Sequence, residues 1–203
     1  MKKIAIVLAA LLLAACASGP RNAAPATVYD FGLPAPRLAA EAAWSRLAIE
    51  IKAPHWLDSP RVAYRLAYDD PLRLREYAGS RWAGAPAQLL GQRLQQQLGT
   101  VSPTGNAAVD CLLRLDLQEF SQVFDSPQAS RGVLQVELGL FDARRQRIAG
   151  QRIVVERPAP TLDAHGGVLV LVAASDELGK RIADWLDAPV RKALACRAGA
   201  PKP

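Results

Sequence analysis

Along much of the chain apolar and polar residues alternate with a period of two, the spacing of strands with one buried face. Over residues 45–52, Leu47, Ile49 and Ile51 stand against Arg46, Glu50 and Lys52. Over residues 61–68, Val62, Tyr64, Leu66 and Tyr68 oppose Arg61, Ala63, Arg65 and Ala67. The stretch from Pro54 to Pro60 separates these two strands, and Asp69-Asp70-Pro71 forms a turn into a shorter one, Leu72 to Tyr77. A second block alternates from Leu112 to Phe124, from Val133 to Phe141 and from Ile148 to Glu156. The polar turn Asp142-Ala143-Arg144-Arg145-Gln146 inside it predicts an antiparallel three-stranded meander. Val28 to Phe31 reads as a further short strand where the folded part begins.

The period changes to that of a helix in two places. Pro86 to Leu98 has a proline in its first turn, Gly99 just past its end, and Leu89, Leu90, Leu94 and Leu98 on one stripe. From about His165 to Asp187, Val168, Leu171, Val172, Leu178, Ile182, Trp185 and Leu186 follow helical spacing, with Asp163 placed to cap the start and Pro189 marking an end or a kink. Strands, a helix, more strands and a final helix predict a single α/β domain over residues 28–197: a mixed, largely antiparallel sheet with at least two packed helices, then a short tail, 198–203.

The first segment has a different character. Met1-Lys2-Lys3, an apolar run from Ile4 to Leu13 and then Leu13-Ala14-Ala15-Cys16 fit a secretory signal and are too short to span a bilayer. The small residues before the cysteine resemble the bacterial lipobox. That resemblance implies cleavage after Ala15 and attachment of S-diacylglycerol and N-acyl chains to Cys16, an anchor made practically permanent by its many buried methylenes. Residues 1–15 are then the signal peptide and 16–27 a tether rich in Ala, Gly, Pro and Ser. Ala17, rather than aspartate, follows the cysteine, which favours delivery to the outer membrane, facing the periplasm. Cys111 and Cys196 are the remaining thiols in an oxidising compartment. They read either as a disulfide or as two separately buried small apolar side chains.

Composition narrows the function. Half of the 203 residues are apolar, which excludes a disordered chain. Lys and Arg number 25 against 19 Asp and Glu, for a net charge of +6, yet no basic run stands out and the aromatics are not interleaved with cations. Nucleic acid is therefore not an expected partner. There is no G-x-S-x-G, H-E-x-x-H or C-x-x-C motif and no Gly-rich phosphate loop, so no catalytic residue, metal site or cofactor is expected beyond the lipid on Cys16. His55 beside Trp56 and His165 beside Gly166-Gly167 have no nucleophile or carboxylate at a recognisable spacing. Asp69-Asp70 before proline reads as a solvated turn.

Large amphipathic side chains are concentrated in the first half: Trp44, Trp56, Tyr64, Tyr68, Tyr77 and Trp82. Tyr64 and Tyr68 share the apolar side of their strand and read as structural. Trp56 and Leu57, between two strands, and Trp82, just ahead of the first helix, read as exposed anchors. With Arg61 and Arg81 nearby, they form a candidate partner-binding set of the kind protein interfaces favour.

Several of these segments, in this order, are shared with a known family. Cys16 with its lipobox, Tyr29-Asp30-Phe31-Gly32-Leu33, Trp56-Leu57-Asp58-Ser59-Pro60-Arg61-Val62-Ala63-Tyr64-Arg65, Tyr77-Ala78-Gly79-Ser80-Arg81-Trp82 followed by Pro86-Ala87-Gln88-Leu89-Leu90, Leu117-Gln118-Glu119-Phe120-Ser121-Gln122-Val123-Phe124-Asp125, and Trp185-Leu186 together resemble the ABC-type transport auxiliary lipoproteins. The resemblance covers nearly the whole mature chain, although Cys111 and Cys196 are not part of the family's pattern. It implies a single α/β domain without catalytic residues, on an outer-membrane lipoprotein accessory to MCE-type lipid transport. In such systems an inner-membrane permease, its ATPase and a periplasm-spanning MCE protein move lipid between membranes. The expected role is docking of the MCE protein, with the oligomeric state left open. A lipid carrier that holds acyl chains itself and a periplasmic hydrolase are the competing readings.

Overall fold

The alternating segments become seven strands of one sheet, and the two helical stripes become the helices laid on it. The computed structural model describes residues 25–38, 44–103, 108–188 and 196. In chain order the elements are β1 (Thr27–Tyr29), β2 (Leu47–Lys52), β3 (Arg61–Leu66), β4 (Asp70–Trp82), α1 (Pro86–Leu98), β5 (Cys111–Ser126), β6 (Ala129–Phe141), β7 (Arg147–Pro158) and α2 (Ala164–Asp187). The signal segment with Cys16, most of the tether, Pro189 and the tail 198–203 lie outside the described residues.

Strand order is β1-β4-β3-β5-β6-β7, with β2 also on β5. The long pairings β5–β6, β6–β7 and β3–β4 are antiparallel; β1–β4, β2–β5 and β3–β5 are parallel. Leu47↔Cys111 through Lys52↔Asp116 place β2 along the first half of β5, while Tyr64↔Gln122 through Leu66↔Phe124 place β3 along its end. The two short strands therefore lie in line on one edge of β5, with the Pro-bounded loop between them.

In β5, Leu113, Leu115 and Leu117 face the helices, and one extra residue between Leu117 and Glu119 then shifts the parity. Phe120 thus returns to the same face, opposite Leu134 of β6. A bulge of this kind keeps a long strand's apolar face on the core while the strand bends. Leu134, Val136, Leu138 and Leu140 of β6 complete that face, covered by Val168, Leu171, Leu178 and Ile182 of α2. At Gly132 the helix rests directly on β6, since a Cβ there would stand 2.6 Å from Val170 Cγ1. The opposite face of the sheet is wet and carries ion pairs such as Arg114–Glu50 and Arg65–Glu119, each at 3.0 Å. Pairs so exposed contribute only ~0–1 kcal/mol each.

A buried polar cluster joins the two helices. The Arg93 guanidinium of α1 donates to both carboxylate oxygens of Asp176 of α2, at 2.8 and 3.0 Å, and to the Leu33 carbonyl at 2.5 Å. Gln97 Nε2 donates to the same carboxylate at 2.8 Å, and the Gln97 carbonyl accepts from Leu38 N–H at 2.8 Å. Residues 33–38 are thereby strapped to α1. A second network ties three strands to the segment that leads into α2: Tyr77 Oη donates to Gln122 Oε1 at 2.8 Å, and Gln122 Nε2 donates to Ser130 Oγ at 2.9 Å and to the Thr161 carbonyl at 3.3 Å. Burial first, and the nearby Tyr64 second, raise the Tyr77 hydroxyl well above the ordinary phenol value, so it stays a donor.

Several boundaries differ from the sequence reading. β4 begins at Asp70 rather than Leu72 and runs to Trp82 rather than Tyr77, because β1 pairs with its last three residues and prolongs it. β3 ends at Leu66, so Tyr68 falls in the turn beyond it and is 48% exposed; the expectation that it is structural is corrected. Tyr64 does pack, with its ring centroid 4.5 Å from Tyr77 and 6.1 Å from Phe124. Gly99 caps α1 in a left-handed conformation, φ 66°, its N–H donating to the Gln95 carbonyl.

Cys111 and Cys196 are joined by a disulfide with a Cα–Cα distance of 5.5 Å, closing a loop of 85 residues. Replacing both cysteines by alanine is expected to cost ~2–5 kcal/mol, read from denaturant midpoints. The wild-type protein should resist alkylation at Cys111 and Cys196 until reduced; alkylation without reduction would contradict the bridge.

Asp163 caps α2. Its carboxylate accepts from Gly166 N–H at 2.8 Å and from Thr161 Oγ1–H at 2.7 Å, bonds that hold its pKa below the ordinary 3.8. With the folded-state pKa below the unfolded one, the cap's contribution is complete above 3.8 and disappears as pH falls through the folded value. Asp163→Ala should therefore cost ~1 kcal/mol at neutral pH. Wild type and variant should converge in urea titrations carried out well below the carboxylate range; a constant gap would refute the cap.

Candidate docking surface

The loop between β2 and β3 turns tightly, with Leu57 N–H donating to the Pro54 carbonyl at 2.9 Å and Asp58 N–H to the same carbonyl at 3.1 Å. Such a turn sends neighbouring side chains in different directions. Trp56 points outward, 68% exposed, while Leu57 is only 5% exposed and joins the core. Leu57 is therefore corrected from an exposed anchor to a packing residue.

Trp82 is corrected in the same way, at 0% exposure. Its ring lies 5.6 Å from Phe31, edge-on, and 5.7 Å from Phe120, and its backbone N–H donates to the Pro60 carbonyl. The physical reason is β1: by pairing with Ser80–Trp82 it keeps β4 extended, so Ser80 and Trp82 point to the core and Arg81 away from it. The alternation of Ser80, Arg81 and Trp82 carried that signal in the sequence. Arg81 sits opposite Arg61 across the β3–β4 ladder, both exposed, with Glu76 3.6 Å from Arg61 Nε. Of the five residues in the candidate set, Trp56, Arg61 and Arg81 are on the surface.

Beside Trp56 the structure shows a feature that sequence reasoning missed. An open groove of about 540 Å³ runs between β2 and α1. Ile49 and Ile51 contribute from β2, Gln88, Gln92 and Gln95 from α1, and Asp58 from the Trp56 loop. Gly91 leaves this part of α1 low, 3.7 Å from Ile51 Cδ1 to where its Cβ would stand. Glu50 also lines the groove and accepts from Arg114 Nε at 3.0 Å. The three glutamines, four and three residues apart on one helix face, were the available clue.

Among the described residues no group of three His, Cys, Asp or Glu is placed to hold a metal ion. Among the same residues no helix is long and apolar enough to cross a membrane. What the arrangement offers is a rigid surface: an exposed tryptophan, two arginines and a groove along a strand.

The surface and core positions of these residues predict opposite effects of truncation. Trp56→Ala should change stability by less than about 0.5 kcal/mol. Trp82→Ala should cost ~3–5 kcal/mol and Leu57→Ala ~2–5 kcal/mol. Thermal and urea unfolding of the three variants tests this, and a large loss at Trp56 would return that residue to the core.

A search of the curated proteins found no match. Among solved structures, protein XCC0632 from Xanthomonas campestris is similar, with a TM-score of 0.63 and 19% identity, covering 78% of this chain and 94% of that one. An uncharacterized protein is similar with a TM-score of 0.63 and 17% identity, covering 80% and 99%. These likenesses concern the fold. The family model described as "ABC-type transport auxiliary lipoprotein component" matches residues 29–183, a span that runs from β1 through most of α2. The chain belongs to the family of ABC-type transport auxiliary lipoprotein components.

Proposed function

We propose that this protein is the outer-membrane docking subunit of an MCE-type ABC lipid transport system. Acyl chains on Cys16 hold it at the membrane with the domain in the periplasm. It receives the distal end of the MCE protein, whose permease and ATPase work at the inner membrane, and contributes no catalytic step. The family match over residues 29–183 carries the reading.

The packing supports docking over lipid carriage. The space between sheet and helices is filled by Trp44, Trp82, Phe120, Leu113, Leu115 and Leu134, all nearly inaccessible. A carrier would have to open that layer to admit an acyl chain, whereas a docking subunit needs it closed, so that Trp56 and the arginines keep fixed positions. Exposed tryptophan and arginine are residue types in which interface hot spots are enriched.

Two measurements test the reading. Crosslinking from intact envelopes through a photoreactive residue at position 56 should recover the MCE protein. Trp56→Ala should weaken capture of that protein by ~2 kcal/mol, about thirtyfold, while leaving the fold intact. Organic extraction and mass spectrometry of the purified mature protein should return no stoichiometric lipid, the acyl groups on Cys16 staying with the protein. Stoichiometric free phospholipid from the extract would favour the carrier instead.

A further inference from the structure

The groove between β2 and α1 has a backbone consequence. In β2 the N–H and C=O groups of successive residues point to opposite edges. The carbonyl of Arg46 accepts from Asp110 N–H, so the even-numbered residues serve the β5 side. Leu47 and Ile49 serve the other: Val101 N–H donates to the Leu47 carbonyl at 3.0 Å, and Ile49 N–H donates to the Val101 carbonyl at 3.2 Å. Val101 thus makes a single parallel bridge on this edge, opposite Ala48.

The next bond on this edge is missing for a chemical reason. Two residues on, the position opposite Glu50 is due to donate an N–H to the Ile49 carbonyl, and it is occupied by Pro103, which has none. That bond cannot form, and Pro103 and Ser102 are part of the groove's lining. The Ile49 carbonyl and the Ile51 N–H and carbonyl are the next groups on that edge. Their neighbours across the groove are the side-chain amides of Gln88, Gln92 and Gln95.

We propose that this groove takes an extended polypeptide segment of a partner protein, apolar at alternate positions and carrying a basic residue, as an added strand on the edge of β2 beyond the Val101 bridge. The alternation follows from strand geometry: an added strand turns every second side chain toward the face of Ile51, which is only partly buried at the floor. The basic residue follows from charge: Asp58 is exposed on the groove's lining, which among the described residues includes no cation, while the Glu50 carboxylate is already paired with Arg114. An acyl chain in the same place would strip three carboxamides and the Asp58 carboxylate of water without replacing the hydrogen bonds. The proposal rests on the docking reading for the source of the segment; the groove's chemistry stands apart from it.

The test uses the full-length lipidated protein in detergent and a fluorescein-labelled peptide of about seven residues alternating Val and Arg. Binding read by anisotropy should be lost tenfold or more when alternate peptide amides are N-methylated, which removes donors and leaves the side chains. It should weaken with Asp58→Asn and in high salt. Gly91→Leu should abolish it by filling the groove, with melting unchanged or raised, since leucine suits a helix better than glycine. Absence of binding to the wild type, indifference to N-methylation, or full binding by Gly91→Leu would overturn the proposal. So would a drop in oligomeric mass on Gly91→Leu, which would assign the edge to a second copy of this chain. Loss of peptide binding with undiminished capture of the MCE protein would overturn the groove as the partner's seat and leave the docking function standing. Intact peptide binding with no capture by the wild type would retain the groove and sink the docking function.

Discussion

One edge of β5 has to serve two strands, and the rest of the architecture follows from how it does so. β5 is 16 residues long; β2 takes Cys111–Asp116 and β3 takes Gln122–Phe124, both parallel to it. Between them, residues 117–121 have neither of these strands beside them. The chain crosses that gap as the Pro-bounded loop, which sends Leu57 into the core and Trp56 out of it. The bulge of β5 falls in the same stretch, so the strand bends where its edge changes partner. A single uninterrupted strand in place of β2 and β3 would have had no loop to present the tryptophan.

The second requirement is that α1 keep its distance from β2. The Arg93–Asp176 pair is a bidentate contact between a buried guanidinium and a half-exposed carboxylate, and a cation taken out of water this way needs its remaining hydrogen bonds met. Here the Leu33 carbonyl accepts from the guanidinium, and the Gln97 amide donates to the carboxylate. The cluster gives α1 one position relative to α2 and holds residues 33–38 across it. Apolar contacts alone would let a helix of 13 residues slide; a charge fork with fixed partners does not.

How much of this could be read beforehand depends on the range of the interaction responsible. Leu113, Leu115 and Leu117 alternate locally, and so do Leu134 to Leu140, so the meander was legible, as were α1 from Pro86 and Gly99 and α2 from its Asp163 cap. The family was legible from the order of its segments. Trp82 was misplaced because its burial is decided by a three-residue strand 53 residues earlier in the chain, at Tyr29. Tyr68 fits the alternation of β3 perfectly well, but the antiparallel return of β4 ends the ladder at Leu66↔Asp70. The groove was invisible for a related reason. Gln88, Gln92 and Gln95 look like any solvated helix face until β2 is set beside them with Pro103 at its outer edge.

The shortest strand has a mechanical meaning. The chain enters the domain through β1, three residues held in parallel to Ser80–Trp82, with Ala83 N–H bonded to the Tyr29 carbonyl. Tension arriving from the N-terminal side is taken first by this small patch, loaded in shear, and next by the Arg93 bond to the Leu33 carbonyl. The covalent ring from Cys111 to Cys196 contains β5, β6, β7 and α2, and no pull on the N-terminus can lengthen it. A domain towed by its leading end therefore yields at β1 and the strap before the meander feels the load, and the first segments to give way are the ones that can re-form without refolding the rest.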